Sequence, residues 1–323
     1  MDNFNTIDCS DLEVIGKGVT ATVYKLDDTK IIKAYKKQIS LDLIENERNE
    51  TIRAVECGVK TPKCYETVKT EEWYGNVYQS MTGGTLSEKL LSSDENELMK
   101  WISEYAMLTR GLHAKRSPVI WKNYKEVYRR QVEMSKDLFT DELYDLICKT
   151  FDSIPEADNI LHGDLSTGNI MLEQDQLYFI DLATMGNGHP VFDLIVPYMV
   201  TIVWPLFAKM ANDMPLEERE NRKDWFEYLN KYSKKSMPMQ LGEKAWKLFV
   251  KVYFQLQSLD DEFIPSFTAL IRKYSMAKYC LCGFFKNIYS AELINEMIHY
   301  FGDNLLMCEE TNMELFKDDR WNF

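Results

Sequence analysis

His162-Gly163-Asp164-Leu165-Ser166-Thr167-Gly168-Asn169-Ile170-Met171, followed by Tyr178-Phe179-Ile180-Asp181-Leu182-Ala183, is the stretch on which the reading of this chain turns. Two acids and an amide stand on loops that bracket short apolar strands, with Asn169 five residues after Asp164 and Asp181 twelve after Asn169. An aspartate can orient and deprotonate a hydroxyl. An amide and a second carboxylate supply the hard oxygen ligands that Mg²⁺ prefers. Gly163 and Gly168 permit the tight backbone that such a loop needs.

The pattern H-G-D-x-x-x-x-N followed by I-D resembles the catalytic and metal-binding loops of the aminoglycoside phosphotransferase and choline kinase-like families, distant relatives of the protein kinases. The resemblance implies ATP and Mg²⁺ as cofactors, Asp164 as catalytic base, Asn169 and Asp181 as metal ligands, and His162 packed beneath the loop to hold its shape. Gly16-Lys17-Gly18-Val19-Thr20-Ala21-Thr22-Val23 resembles the nucleotide-covering loop of these kinases, with Ala21 in place of a third glycine. Its backbone N–H groups would face phosphate oxygens, which makes Gly16, Gly18 and Val23 cofactor-binding positions. Lys17 is expected in solvent.

Lys33, within Ile31-Ile32-Lys33-Ala34-Tyr35, stands where the family carries its phosphate-contacting lysine and joins Asp164 as a catalytic residue. Its acidic partner is expected on the next helix. Glu47 fits the pattern best, with Glu50 one turn further as the alternative. Tyr78 to Met81 resembles the hinge that meets adenine, so Gln79 and Met81 are taken as nucleotide contacts, although side chains do not reveal which backbone groups are used. Asp193, in His189-Pro190-Val191-Phe192-Asp193-Leu194, matches a family position that caps backbone amides near the catalytic loop. His113, at a helix end, is read as structural.

The first part of the chain shows a β-branched hairpin with a glycine-containing tip, a third strand at Ile31 to Tyr35, a helix capped by Ser40, and two more strands around Lys63–Val68 and Trp73–Met81. After Gly83-Gly84 the texture turns helical, with Thr85 and Glu88 forming a capping box. The expected fold is α+β and protein kinase-like: a small antiparallel-sheet N-lobe over residues 1–81 and a larger, mainly helical C-lobe over residues 82–323.

Composition agrees and excludes other classes. At 323 residues the chain exceeds what one core usually fills, so two lobes around a cleft are expected. A formal charge of −13 argues against nucleic acid as a partner. Seven cysteines without a repeating framework fit reduced thiols in a cytoplasmic protein, and the lone pair Cys280 and Cys282 reads as helix rather than metal site. The N-terminus lacks an apolar signal core, and the apolar run Val191 to Ala208 contains Asp193, Pro197 and Pro205, so a buried helix is expected rather than a membrane partner.

The implied acceptor is a hydroxyl of a small molecule. Family members phosphorylate aminoglycosides, choline, ethanolamine and similar alcohols, often cationic ones. Asp260-Asp261-Glu262, the terminus Asp318 to Phe323, and Trp121, Tyr198 and Trp204 are candidates to meet a cation, but solvated surface is the simpler reading of the first two and core of the aromatics. An atypical protein Ser/Thr kinase is disfavoured because about eight residues separate Ala183 from Phe192, too few for a peptide-docking activation loop. Gly163 and Ser166 also stand where protein kinases place Arg and Lys. A non-catalytic nucleotide-binding regulator is the third alternative, and it would not need Asp164.

Overall fold

Short β-branched runs broken by turn residues give the beginning of the chain its sheet. In the computed structural model, which describes residues 4–116, 121–285, 288–308 and 312–323, five strands pair antiparallel: β1 (Val14–Lys17), β2 (Ala21–Lys25), β3 (Lys30–Tyr35), β4 (Cys64–Lys69) and β5 (Tyr74–Gln79). Their order is β1-β2-β3-β5-β4. Helix α1 (Leu41–Glu56) runs between β3 and β4, and Ser40 caps it by accepting the Leu43 amide. β5 ends at Gln79, short of Met81, because Thr82 is drawn away by donating its amide to the Glu173 carboxylate at 2.7 Å.

Period-two alternation divides β3 between two faces. Ile32 is fully buried with Cys9, Val68 and Val77 on one side, while Tyr35 packs with Ala21 and Ile44 of α1 on the other. Lys33 therefore shares the α1 face with Tyr35.

Thr85 and Glu88 cap α2 (Leu86–Ser92) as expected, the Glu88 carboxylate accepting the Thr85 amide at 2.8 Å and the Thr85 hydroxyl accepting the Glu88 amide at 3.2 Å. The later strands are short. β6 (Asn159–Leu161) pairs with β9 (Gly186–Gly188), and β7 (Ile170–Glu173) with β8 (Gln176–Phe179).

Packing sorts the chain into two units, Met1–Glu88 with Thr167–Met185, and Lys89–Ser166 with Gly186–Phe323. This partition differs from a single division after residue 81, since the β7–β8 hairpin goes with the sheet. Gly83 donates to the Leu172 carbonyl at 3.1 Å, Leu172 to Gly84 at 2.9 Å and Phe179 to Lys60 at 2.8 Å.

The second unit is helical: α3 (Glu95–His113), α4 (Tyr124–Met134), α5 (Asp141–Asp152), α6 (Val191–Tyr198), α7 (Trp204–Asp213), α8 (Leu216–Asn221), α9 (Lys223–Ser233), α10 (Met239–Tyr253), α11 (Phe263–Cys280) and α12 (Ala291–Leu306). Its core is aromatic, with Trp246 stacked against Phe249 and Phe267. Trp121 and Tyr198 belong to that core, and the Trp204 ring lies against Tyr232. Within the terminus, expected as solvated surface, Asp319 and Asn322 are exposed but the rings are packed: Trp321 is buried against His189 and Phe254, and Phe323 lies between Tyr253 and the Arg110 guanidinium. An apolar ring gains more from burial than its charged neighbours lose at the edge.

The run Val191–Asp213 is long and apolar enough to cross a membrane, yet 78% of its most apolar window is buried by the protein itself. α10 crosses it so closely that a Cβ on Gly242 would lie 2.0 Å from the Thr201 carbonyl oxygen. Because that clash is with backbone and cannot be relieved by a rotamer change, Gly242→Ala is expected to cost about 2–3 kcal/mol of stability. A lowered urea midpoint at unchanged slope is the check, and an unchanged midpoint would show that the helices can separate freely.

Candidate active site

On the α1 face of the sheet, Lys33 does not snorkel outward. Its Nζ donates to Glu47 Oε1 at 2.7 Å and to Asp181 Oδ1 at 3.2 Å. Burial, the largest single influence on Lys33, works to lower its pKa, but the two carboxylates outweigh it and the net shift is upward. The site thus holds a fixed ammonium charge. Glu47 is itself buried, and its Oε1 also accepts the Tyr78 hydroxyl at 3.1 Å. Burial, reinforced by the Glu47 carboxylate, pushes the Tyr78 pKa well up, so the phenol stays a donor. Behind it Asn76 Nδ2 donates to the Ile44 carbonyl at 2.9 Å and Thr67 donates to Asn76 Oδ1 at 2.8 Å, tying α1 to the sheet.

Glu50, the alternative partner, faces Arg53 at 3.1 Å. The choice is geometric, since residues three apart lie on adjoining but different parts of a helix surface. Glu47→Gln is expected to lower kcat/KM by about tenfold or more, whereas Glu50→Gln should change it less than about twofold. Steady-state kinetics on both variants test this, and equal losses would contradict the pairing.

Asp181 enters from the segment after β8 with φ 60° and ψ 58°, a left-handed backbone uncommon for a residue with a side chain. Such a conformation costs about 1–2 kcal/mol and is retained where a side chain must be aimed. Here it carries the carboxylate to Lys33. The Asn169 carbonyl accepts the Ile180 amide at 2.9 Å, which sets Asn169 beside the same turn.

Gly16, Val23, Lys33, Glu47, Gln79, Met81 and Asp181 line one cavity of about 890 Å³. Ile15, Val23 and Ile31 with Met171 and Ile180 give it apolar walls, and Lys33, Glu47 and Asp181 give it a charged end. A flat heterocycle between apolar walls with an anionic tail suits that division. Gly18 does not line the cavity, because its amide closes the hairpin tip by donating to the Ala21 carbonyl at 2.8 Å. Lys36 holds the same tip through the Val19 carbonyl at 2.7 Å. Along the hinge, Gln79, Ser80, Thr82 and Gly83 each spend their amide inside the protein. Among the described residues, Met81 is the hinge position from 79 to 83 whose amide has no acceptor, and it lines the cavity.

Asp164 belongs to the second unit, where its loop is rigidly built. The Asp193 carboxylate accepts the His162 amide at 2.7 Å and the Gly163 amide at 2.8 Å, and His113 Nε2 lies 3.1 Å from it. Because a carboxylate only accepts, Nε2 carries a proton, and Nδ1 is hydrogen-bonded with the Tyr253 hydroxyl at 2.7 Å. Burial pulls the Asp193 pKa up, but the hydrogen bond from His113, followed by further His113, His162 and backbone interactions, outweighs it and holds the group below the usual carboxylate range. Gly163 adopts φ 84°, which favours glycine. The Asp164 amide donates to His162 Nδ1 at 3.3 Å, and Tyr105 donates to the Leu165 carbonyl at 2.6 Å. Asp164 itself is left exposed at the surface of this scaffold. His113 and Asp193 are thus structural, as expected. Tyr105 and Tyr253 were not legible as partners, since helical aromatics read as core.

A lysine–glutamate pair on a five-stranded antiparallel sheet, together with an H-G-D-x-x-x-x-N loop and an I-D acid, defines a kinase-type phosphotransferase. The chain belongs to the phosphotransferase enzyme family, APH, whose model matches residues 11–225. No curated protein sequence matches it. Solved structures share its fold: ADP-bound aminoglycoside phosphotransferase APH(2″)-Ib (TM-score 0.55, 13% identity, 98% of this chain and 95% of that one), the gentamicin complex of APH(2″)-IIa (0.53, 15%, 95% and 93%), and a choline/ethanolamine kinase family protein from Mesorhizobium loti (0.53, 12%, 96% and 90%).

Proposed function

We propose that this protein transfers the γ-phosphoryl group of ATP to a hydroxyl of a small molecule with the help of Mg²⁺. The observation that carries the reading is the Lys33 ammonium held between Glu47 and Asp181 at the charged end of an apolar-walled cavity. Lys33 meets the phosphate oxygens and the Met81 amide donates to the base. Solved neighbours captured with ADP, GDP and ATP support nucleotide use. The seven free cysteines agree with a cytoplasmic site of action.

The donor set fits a hard cation, since Asp181 offers a half-exposed carboxylate and Asn169 an amide oxygen on the neighbouring turn. When bound, Mg²⁺ would neutralise phosphate charge and polarise the γ-phosphoryl group. Asp164 orients the acceptor hydroxyl and takes its proton as the new O–P bond forms and the bond to the β-phosphate oxygen breaks. The His162–Asp193–His113 framework keeps Asp164 in place during the step.

Labelled ATP, Mg²⁺ and a panel of metabolites and antibiotics test the proposal. Label on a small-molecule hydroxyl, abolished by chelation, is the expected result. Label found only on protein serine or threonine, or nucleotide bound with no transfer, would overturn it.

A further inference from the structure

Lys278 sits near the C-terminal end of α11, in the unit that carries Asp164. Its side chain is partly buried and makes no ion pair among the described residues. Its ammonium lies 5.9 Å from the centre of the Tyr128 ring. That ring is clamped, stacked on Phe151 at 4.9 Å and on Phe192 at 5.1 Å. Phe192 directly precedes Asp193, whose carboxylate holds the His162 and Gly163 amides. Lys278 and Asp164 are therefore fixed to one scaffold.

Electrostatics support the proximity. Burial works to lower the Lys278 pKa, but Tyr128 first and then the Asp164 and Asp193 carboxylates raise it, and the net shift is upward. Asp164 likewise acts on Tyr128 and Tyr279, which puts a lysine and tyrosine rings among the groups that feel the catalytic acid in this unit. Among the described residues no carboxylate stands within ion-pair distance of this ammonium, and cations left in that state concentrate where a ligand completes them. The H-G-D loop from 162 to 169 contains no lysine or arginine of its own.

We infer that Lys278 is a specificity-determining residue of the acceptor site: it pairs with an anionic group, carboxylate or phosphate, on the same alcohol whose hydroxyl Asp164 receives. The inference rests on the phosphotransfer reading and narrows it to hydroxy acids and phosphorylated alcohols in place of amino alcohols. The overall charge of −13 does not decide this, because the field beside the reacting hydroxyl is set by the nearest fixed charges.

The test compares glycerate, glycerol 3-phosphate and a set of sugar acids with their neutral parent alcohols, and with choline and kanamycin, on the intact protein. Binding is read calorimetrically with a non-hydrolysable ATP analogue present, and transfer with labelled ATP. An anionic member should bind at least about tenfold tighter than its neutral parent, and Lys278→Met should erase that advantage as a rise in KM. Lys278→Arg should restore most of it, with nucleotide affinity and melting temperature unchanged in both variants. A preference for choline or kanamycin, no gain for any anionic member, or an anionic preference that survives in Lys278→Met overturns the inference. So does a fall in kcat equal for neutral and anionic acceptors, which would place the charge on the transferred group. The carboxylate and phosphate arms separate the two sources of negative charge. Lys278-dependent binding without transfer to any acceptor counts against the phosphotransfer reading, whereas transfer to choline alone counts against the inference.

Discussion

Asp164→Asn is expected to lower turnover by about 10²-fold or more while nucleotide affinity stays within about twofold. The asparagine keeps the size and the backbone hydrogen bonds of the loop but cannot take a proton. Structure should survive, because the His162 and Gly163 amides, the Leu165 carbonyl and the Asp164 amide hold the loop, and asparagine leaves all of these backbone bonds in place. Calorimetric nucleotide binding and single-turnover rates on the same preparation decide the matter. Loss of nucleotide binding with normal turnover per bound nucleotide would remove Asp164 from the proton-transfer role.

Asp193→Ala should be the more damaging change to the fold. It strips the acceptor from two backbone amides and from His113 at a fully buried position. Removing one member of a buried charged network costs about 3–5 kcal/mol, and activity should fall with it because Asp164 loses its support. The pH dependence follows from the direction of the shift. Asp193 is held below the ordinary carboxylate range when folded, so its stabilisation is present above the unfolded value near pH 4 and is lost as pH falls through the lower folded value. The stability gap between wild type and variant, measured by urea unfolding, should be widest near neutrality and shrink in acid. A gap that widened in acid would mean that the carboxylate is protonated in the folded protein.

Much of this was legible beforehand for local reasons. The order of three strands, a helix and two strands follows from β-branched runs, Ser40 and turn residues, all short-range signals. The support role of Asp193 was legible from its motif, and so was the pairing of Lys33 with an acid of α1. Side chains could not choose between Glu47 and Glu50, because rotation about α1 is set by packing of Ile44 against Tyr35 and Ala21. A glycine motif made Gly18 an expected phosphate contact but could not show that its amide closes the hairpin tip. The burial of Trp321 was missed, since charged neighbours mask an apolar ring in composition.

The sequence by itself determined the candidate chemistry through motifs that resemble a known family: an expected base, an amide, a second acid and a lysine, each in its own local motif, because loop and strand geometry over a few residues is a short-range property of the chain. Only the tertiary structure decided that Lys33 meets Asp181 across 148 residues of sequence, that Met81 is the hinge amide left without an acceptor among the described residues, and that Lys278 stands on the scaffold of Asp164. Those outcomes depend on how distant segments pack against one another. Packing energy is spread over many apolar contacts that no single motif encodes.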